Sequence, residues 1–501
     1  MKLKTLSTAI ILATVPMTGT FAAALDRSGQ SISAFLQPDN YFEAGLSVLD
    51  PTVEGQEAGS TATRRHIDDM ANDYYFPSAA IKLQPTKNFS FGILYDQPYG
   101  GDAEYTGNNI FVSNDTNTIL APEALASISE TTITNTFNSL SPEQRVGAVL
   151  TAQGVDLTST AGQLQYQTTL AAYNTNSTVK AAIDAGVLAG ITDRVEAGLD
   201  QVNALLGTGG TKVEVDTQSL SFIAGYQPTE NWNIYGGAVY QTIKGDLSLR
   251  GQAYSLYNGY DASIPEDGAL GWLAGLAYQI PEIALKASVT YRSEIDHDVN
   301  INESIPTLPA LSLLGPDGAA AATAIAAANG ETRITTPQSV NLDFQSGIMA
   351  NTVAFLNLRW VDWSDFSIRP YKFGLVSEAV GPLVKRPDGF NLVQYEDDQI
   401  SATAGVGRKF NDKWAGSAAV GWDSGAGNPI STLGPTEGYW NVGLGLQFSP
   451  APNYFIAGGV KYFMLGDAKA QTGAQAGGDE YIAEFEDNHA WAYGLKIGYR
   501  F

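Results

Sequence analysis

Four cations fall at alternate positions of two extended stretches. Lys286 and Arg292 share their register with Ala284, Ser288 and Thr290; Lys496 and Arg500 share theirs with Ala492, Gly494 and Gly498. A two-residue period puts each set on one face of a strand. A cation on a small, polar face can hold a carboxylate by charge-assisted hydrogen bonds. Lys286 and Arg292 are therefore candidate contacts for an anionic head group. Arg359 and Arg408 are further candidates whose facing the alternation leaves open. Covalent chemistry has less to work with. Cys is absent, which excludes thiol nucleophiles, thiolate metal sites and disulfides. His66, His297 and His489 are too scattered for a metal cluster, and Ser293 near His297 carries no nucleophile motif. No catalytic residue, metal or cofactor is expected.

These residues need a scaffold, and composition restricts it. The chain has 501 residues, with 28 Lys+Arg against 52 Asp+Glu and a net charge of −24. The acidic balance excludes nucleic acid, whose binding requires phosphate neutralisation. Charged residues make up 16% of the chain, below the roughly 25% of soluble domains. Lys2 and Lys4, the apolar run Leu6 to Val15 and the small residues Ala22 to Ala24 form a secretory signal, expected over residues 1–24. No later segment approaches the ~20 apolar residues of a membrane helix. A closed β-barrel is the other structure that can span a membrane.

The strand signal is clearest at the end of the chain. Trp491, Tyr493, Leu495, Ile497, Tyr499 and Phe501 alternate with Ala492, Gly494, Lys496, Gly498 and Arg500. Trp440 to Phe448, Trp272 to Ile280 and Ile283 to Arg292 repeat the pattern. Each is about the 9–11 residues of a tilted spanning strand. Tight Pro/Asn turns such as Pro85 to Asn88, Pro228 to Asn231 and Asn411 to Lys413 join strands in pairs. Aromatics such as Trp232, Trp414 and Tyr454 follow the turns, as in an interfacial girdle. The reading is an all-β, antiparallel transmembrane barrel over residues 41–501, with about fourteen strands starting near 41, 73, 88, 211, 231, 269, 283, 335, 350, 393, 413, 437, 453 and 488. It belongs in a bacterial outer membrane, in contact with lipid and lipopolysaccharide, as a monomer.

Two outer connections are too apolar to be plain loops. In 107–210, Ser141-Pro142-Glu143-Gln144 is a capping box, and Val187, Ile191, Val195, Leu199 and Val202 recur at helical spacing. In 302–334, Leu308 and Leu311 precede an Ala-rich run. These helices either pack on one another as a cap or build a groove for an apolar ligand. Pro98, Gly100 and Gly101, near the outer end of the third strand, mark either a strand end or an interruption of the ladder.

The ordered set Ala80 to Pro85, Phe91 to Ile93, Pro98-Tyr99-Gly100-Gly101, Gly271 to Gly275, Val289-Thr290-Tyr291-Arg292-Ser293, Thr336 to Val340, Trp360 to Phe366 and Gly494 to Phe501 resembles the FadL-type outer-membrane transporters of long-chain fatty acids and other hydrophobic compounds. The resemblance spans nearly the whole mature chain. It implies a fourteen-stranded barrel plugged by an N-terminal hatch, a low-affinity outer groove, a tighter site inside and a kinked third strand opening to the bilayer. It makes Arg292 the first choice for a ligand carboxylate. The family hatch runs about forty residues and ends near Asn-Pro-Ala. Here residues 25–40 are short and lack that motif, with Phe35, Leu36 and Pro38 in its place.

The function expected is passive transport of long-chain fatty acids or similar hydrophobes, captured by the outer loops and released through the barrel wall. A monoaromatic hydrocarbon channel of the same family is the alternative within transport. A general porin and an outer-membrane lipase are alternatives of other classes.

Overall fold

The computed structural model describes residues 26–120 and 122–501. The expected signal peptide, 1–24, lies outside the described residues. Fourteen antiparallel staves close into a barrel. They are β1 (Tyr41–Thr52), β2 (Tyr74–Leu83), β3 in two segments (Phe89–Asp96 and Gly100–Glu104), β4 (Lys212–Tyr226), β5 (Trp232–Leu249), β6 (Tyr260–Ile280) and β7 (Leu285–Arg292). The second half comprises β8 (Ser339–Met349), β9 (Thr352–Val361), β10 (Gln399–Lys409), β11 (Trp414–Asp423), β12 (Tyr439–Ala451), β13 (Tyr454–Leu465) and β14 (His489–Arg500). β14 pairs with β1, Tyr41 opposite Arg500, so no sheet edge is left unpaired at the junction of the chain ends.

The alternation has the facing that a membrane demands. On β14, Ala490, Ala492, Lys496 and Gly498 are buried in the lumen, while Leu495 and Ile497 are 58% and 48% exposed. Trp440, Val442, Leu444 and Leu446 form an equally open stripe on β12. Such a band is stable only against lipid. Turn aromatics pair across strands at the periplasmic rim, as Trp232 with Tyr278 and Trp414 with Phe448, both at 4.7 Å between ring centroids.

The outer connections carry most of the remaining structure. Residues 105–211 contain α1 (Pro122–Ser139), α2 (Pro142–Ala152), α3 (Thr160–Thr175) and α4 (Ser177–Asn203). Ser141 and Gln144 form the expected capping box. Residues 293–338 contain the turn Leu308–Leu314 and α5 (Pro316–Ala327); residues 362–398 contain α6 (Tyr371–Val380). No described helix is long and apolar enough to cross a membrane.

Candidate functional site

Residues 26–40 enter the lumen and plug it. Ile32, Ala34, Phe35 and Leu36 are buried against the inner faces of β2 to β6 and of Phe455 and Ala457 on β13. The Phe35 ring meets Tyr235 edge-on at 5.7 Å. Space for it comes from missing side chains: a Cβ on Gly92 would lie 2.6 Å from the Phe35 ring, and one on Gly225 2.9 Å. Pro38 lies at the exposed exit of this segment and fills nothing.

The plug is also tied by hydrogen bonds from wall cations. Arg359 donates to both carboxylate oxygens of Asp26, at 2.7 and 3.2 Å, to Gln30 Oε1 and to Asn341 Oδ1. Lys286 donates to the Leu36 carbonyl at 2.7 Å, and Lys82 to the Gln37 carbonyl. Arg292 donates to Ser221 Oγ and to the Gln30 carbonyl, both at 3.2 Å. Arg292 is 5% exposed, makes no ion pair within 4 Å among the described residues, and its Nε is buried without a partner. The Nε of Arg292 is thus a buried donor still to be used. Arg408 has to be removed from the set of expected head-group cations. The register of β10 puts it on the same face as Ile400 and Val406, towards lipid, near the periplasmic turn. There its long stem snorkels to the head-group layer instead of lining the lumen.

The barrel wall is interrupted beside the plug. β2 pairs with β3 only from Ala79 opposite Tyr95 to Leu83 opposite Phe91. Beyond Asp96 the third strand turns inward. Three residues, Gln97 to Tyr99, face two on β4 before pairing resumes at Gly100 opposite Asp216. The Pro98 carbonyl instead accepts the backbone N–H of Arg27, and Tyr99 bridges to Asp26. Phe76 to Ser78 are left without a paired strand on that side, and the wall is joined again where the Tyr74 hydroxyl meets the Asp102 backbone and Ala71 bridges Ala103. Pro77, which offers no ladder N–H, is tolerated in β2 because no strand stands there to need it. The expected kink residues fall here, Pro98 within the break and Gly100 and Gly101 where the strand resumes.

A cavity of about 70 Å³ lies at this gap, lined by Pro77 and Gln97 of the wall and by Glu43, Asp96, Arg292 and Lys496. A larger cavity of about 170 Å³ lies on the other side of the plug, lined by apolar Leu36, Phe344 and Val460 as well as by Ser288, Asn357 and Lys461. Above both, the outer loops form a continuous core. Val202, Leu308 and Leu311 belong to it, with Tyr99, Trp363, Phe366 and Tyr395. Tyr99 meets Trp363 edge-on at 5.5 Å, tying the broken strand to this cap. Val195 instead packs in a separate core of α2, α3 and α4, and Leu199 is half-buried on α4.

Ser293 and His297, the residues behind the catalytic alternative, have other partners. His297 hydrogen-bonds to Asp267 and Gln241 at 3.1 and 3.2 Å, and burial pushes its imidazole below the ordinary range. Ser293 Oγ accepts the backbone N–H of Trp272. Among the described residues no cluster of His, Asp or Glu could hold a metal.

A closed barrel with an apolar exterior, a lumen plug and a partly helical cap defines an outer-membrane β-barrel. Residues 101–501 match the family model described as outer membrane protein transport protein (OMPP1/FadL/TodX), and the chain belongs to this family of outer-membrane transporters of hydrophobic compounds. Among solved structures it is similar to a FadL homologue of Pseudomonas aeruginosa, with 11% identity, a TM-score of 0.59, and 99% of this chain and 98% of that chain covered. It is also similar to the toluene transporter TodX of P. putida, with 11% identity, a TM-score of 0.50 and coverage of 93% and 91%. No curated protein matches the chain.

Proposed function

We propose that this protein carries long-chain fatty acids, or amphiphiles of the same build, passively across the outer membrane and releases them sideways through the gap between β2 and β3. The supporting observation is the cavity lined both by Pro77 and Gln97 of the gap and by the buried Arg292, whose Nε has no partner. An acyl chain loses about 0.8 kcal/mol for each CH₂ returned to water. Release through the gap delivers the tail to hydrocarbon without carrying it on to periplasmic water. Nearly uniform burial of the tail along the way keeps the barrier low without an energy source.

In this reading the outer cap takes up the hydrophobe, with Val202, Leu308 and Leu311 as the apolar surface it first meets when the loops part. Arg292 receives the carboxylate while the tail lies over Phe35 and Leu36. Lys286 and Arg359 hold the plug and are secondary contacts once it shifts. Arg292→Gln tests the head-group role. Its loss removes a charge-assisted hydrogen bond, so oleate binding to purified protein should weaken roughly tenfold or more, and binding of methyl oleate should change little. Equal losses for acid and ester would remove Arg292 from this role.

A further inference from the structure

A second arginine stands in the gap itself. Arg27 belongs to the plug, but its side chain reaches the wall. Its guanidinium lies 4.2 Å from the centre of the Tyr74 ring and 5.6 Å from that of Phe76, both on β2. It is 6% exposed and lines the cavity at the gap. The place is made for it by Gly100, where any Cβ would fall 2.4 Å from the guanidinium carbon. The nearest carboxylate is Asp216 on β4, at 3.6 Å, beyond hydrogen-bond length. Asp216 also faces Lys244 at 3.7 Å, so its charge is shared between two cations. A buried guanidinium whose nearest carboxylate stands beyond hydrogen-bond length is placed to meet an incoming anion, and the rings beside it offer a surface for an alkyl stem.

We propose that Arg27 selects the cargo at the exit: it takes the carboxylate from Arg292 while the tail passes between Phe76 and Gln97 into the bilayer. This rests on lateral release. A neutral hydrocarbon leaves by the same gap without using Arg27, whereas an acid is held there until its head group protonates or is passed on. Arg27 therefore discriminates by head group, and the width of the gap by cross-section.

The test compares uptake of oleate and methyl oleate by cells carrying equal amounts of folded full-length barrel. Arg27→Gln should lower oleate uptake about tenfold, as expected for loss of a charge-assisted contact, and leave the ester within about twofold. Arg27→Lys should restore most oleate uptake. Asp216→Asn keeps the cation and removes its wall partner, so it should leave oleate uptake unchanged or raise it. Equal falls for acid and ester, failure of lysine to rescue, or an Asp216→Asn phenotype matching Arg27→Gln would each overturn the assignment and make Arg27 a peg of the plug. A Pro77→Cys, Gln97→Cys pair closed by a short bismaleimide separates the two claims. If bridging leaves uptake of both compounds intact, lateral release itself falls. If bridging blocks both while Arg27→Gln discriminates neither, only the role of Arg27 falls.

Discussion

Asp26 at the start of the plug and Arg359 on β9 are 333 residues apart, and their side chains meet at 2.7 Å in the closed lumen. The next residue, Arg27, points the opposite way, towards β2 and β4. The two neighbours thus reach opposite sides of the barrel. Breaking a buried pair by removing one partner costs about 3–5 kcal/mol. Asp26→Asn should accelerate amide hydrogen exchange over residues 26–37 by roughly a hundredfold or more, since each tenfold is about 1.4 kcal/mol, with exchange of β10 to β14 unchanged. Unaltered protection of the plug would mean that the apolar contacts of Phe35 and Leu36 hold it alone.

Those apolar contacts make a separate prediction. Gly92→Ala places a methyl 2.6 Å from the Phe35 ring, and the ring must leave its bed between β3 and β5. Overpacking of this kind costs roughly 1–3 kcal/mol. Phe35→Ala alone leaves a cavity. The two together should be much less harmful than their sum, because the methyl then meets empty space. The double-mutant cycle can be read from thermal unfolding of the plug. Additive effects would place Phe35 elsewhere.

The three-against-two mismatch at Gln97 to Tyr99 holds the third strand away from β2. Deleting Pro98 evens the count, so β3 should continue beside Phe76 to Ser78 and close the wall. Uptake should drop severalfold while outer-membrane assembly is retained. A deletion variant with normal uptake would show that the break is irrelevant to passage.

Glu437 closes the outer loop 424–438. It accepts a hydrogen bond from the Gly427 N–H at 3.3 Å, and its Oε2 is buried without a partner. Burial, reinforced by the charge of Asp397, pushes its carboxyl pKa up to about 7. A folded pKa above the ordinary value of ~4.3 gives stability that is complete below that value and lost as pH rises through about 7. Exchange protection of this loop, corrected for intrinsic rates, should be lower at pH 8.5 than at pH 5.5. Glu437→Gln should flatten the difference. A loop equally protected at both pH values would contradict the raised pKa.

Much of the barrel was legible because lipid and lumen impose opposite chemistry on alternate residues. Strands expected at 41, 73, 88 and 211 begin at Tyr41, Tyr74, Phe89 and Lys212. The rule weakens where strands rise above the membrane and both faces become polar. β6 accordingly begins at Tyr260, nine residues before the expected start, through Pro265 and Glu266 and past a register shift opposite Ile243 to Gly245. The starts expected at 335 and 393 fell on short loop ladders, Thr332–Thr336 with Ile295–Val299 and Val393–Gln394 with Ser367–Ile368. β8 and β10 follow at Ser339 and Gln399. Helix α6 went unseen, although Phe373, Val376, Ser377 and Val380 carry its spacing and are its buried face.

Within the site, inward facing of Lys286 and Arg292 could be read from alternation, and that of Arg408 could not. Arg27 was missed because an irregular plug segment has no period to read. Pro77 in mid-strand was the unused signal, since a proline there requires an absent neighbour.

Lateral release is tested most directly by bridging the gap in this naturally cysteine-free chain. Initial oleate uptake is measured in cells with the Pro77→Cys, Gln97→Cys pair before and after bismaleimide closure, against single-Cys controls. Release through the wall predicts near-complete loss on closure with the controls unaffected. Undiminished uptake by the bridged barrel would contradict it.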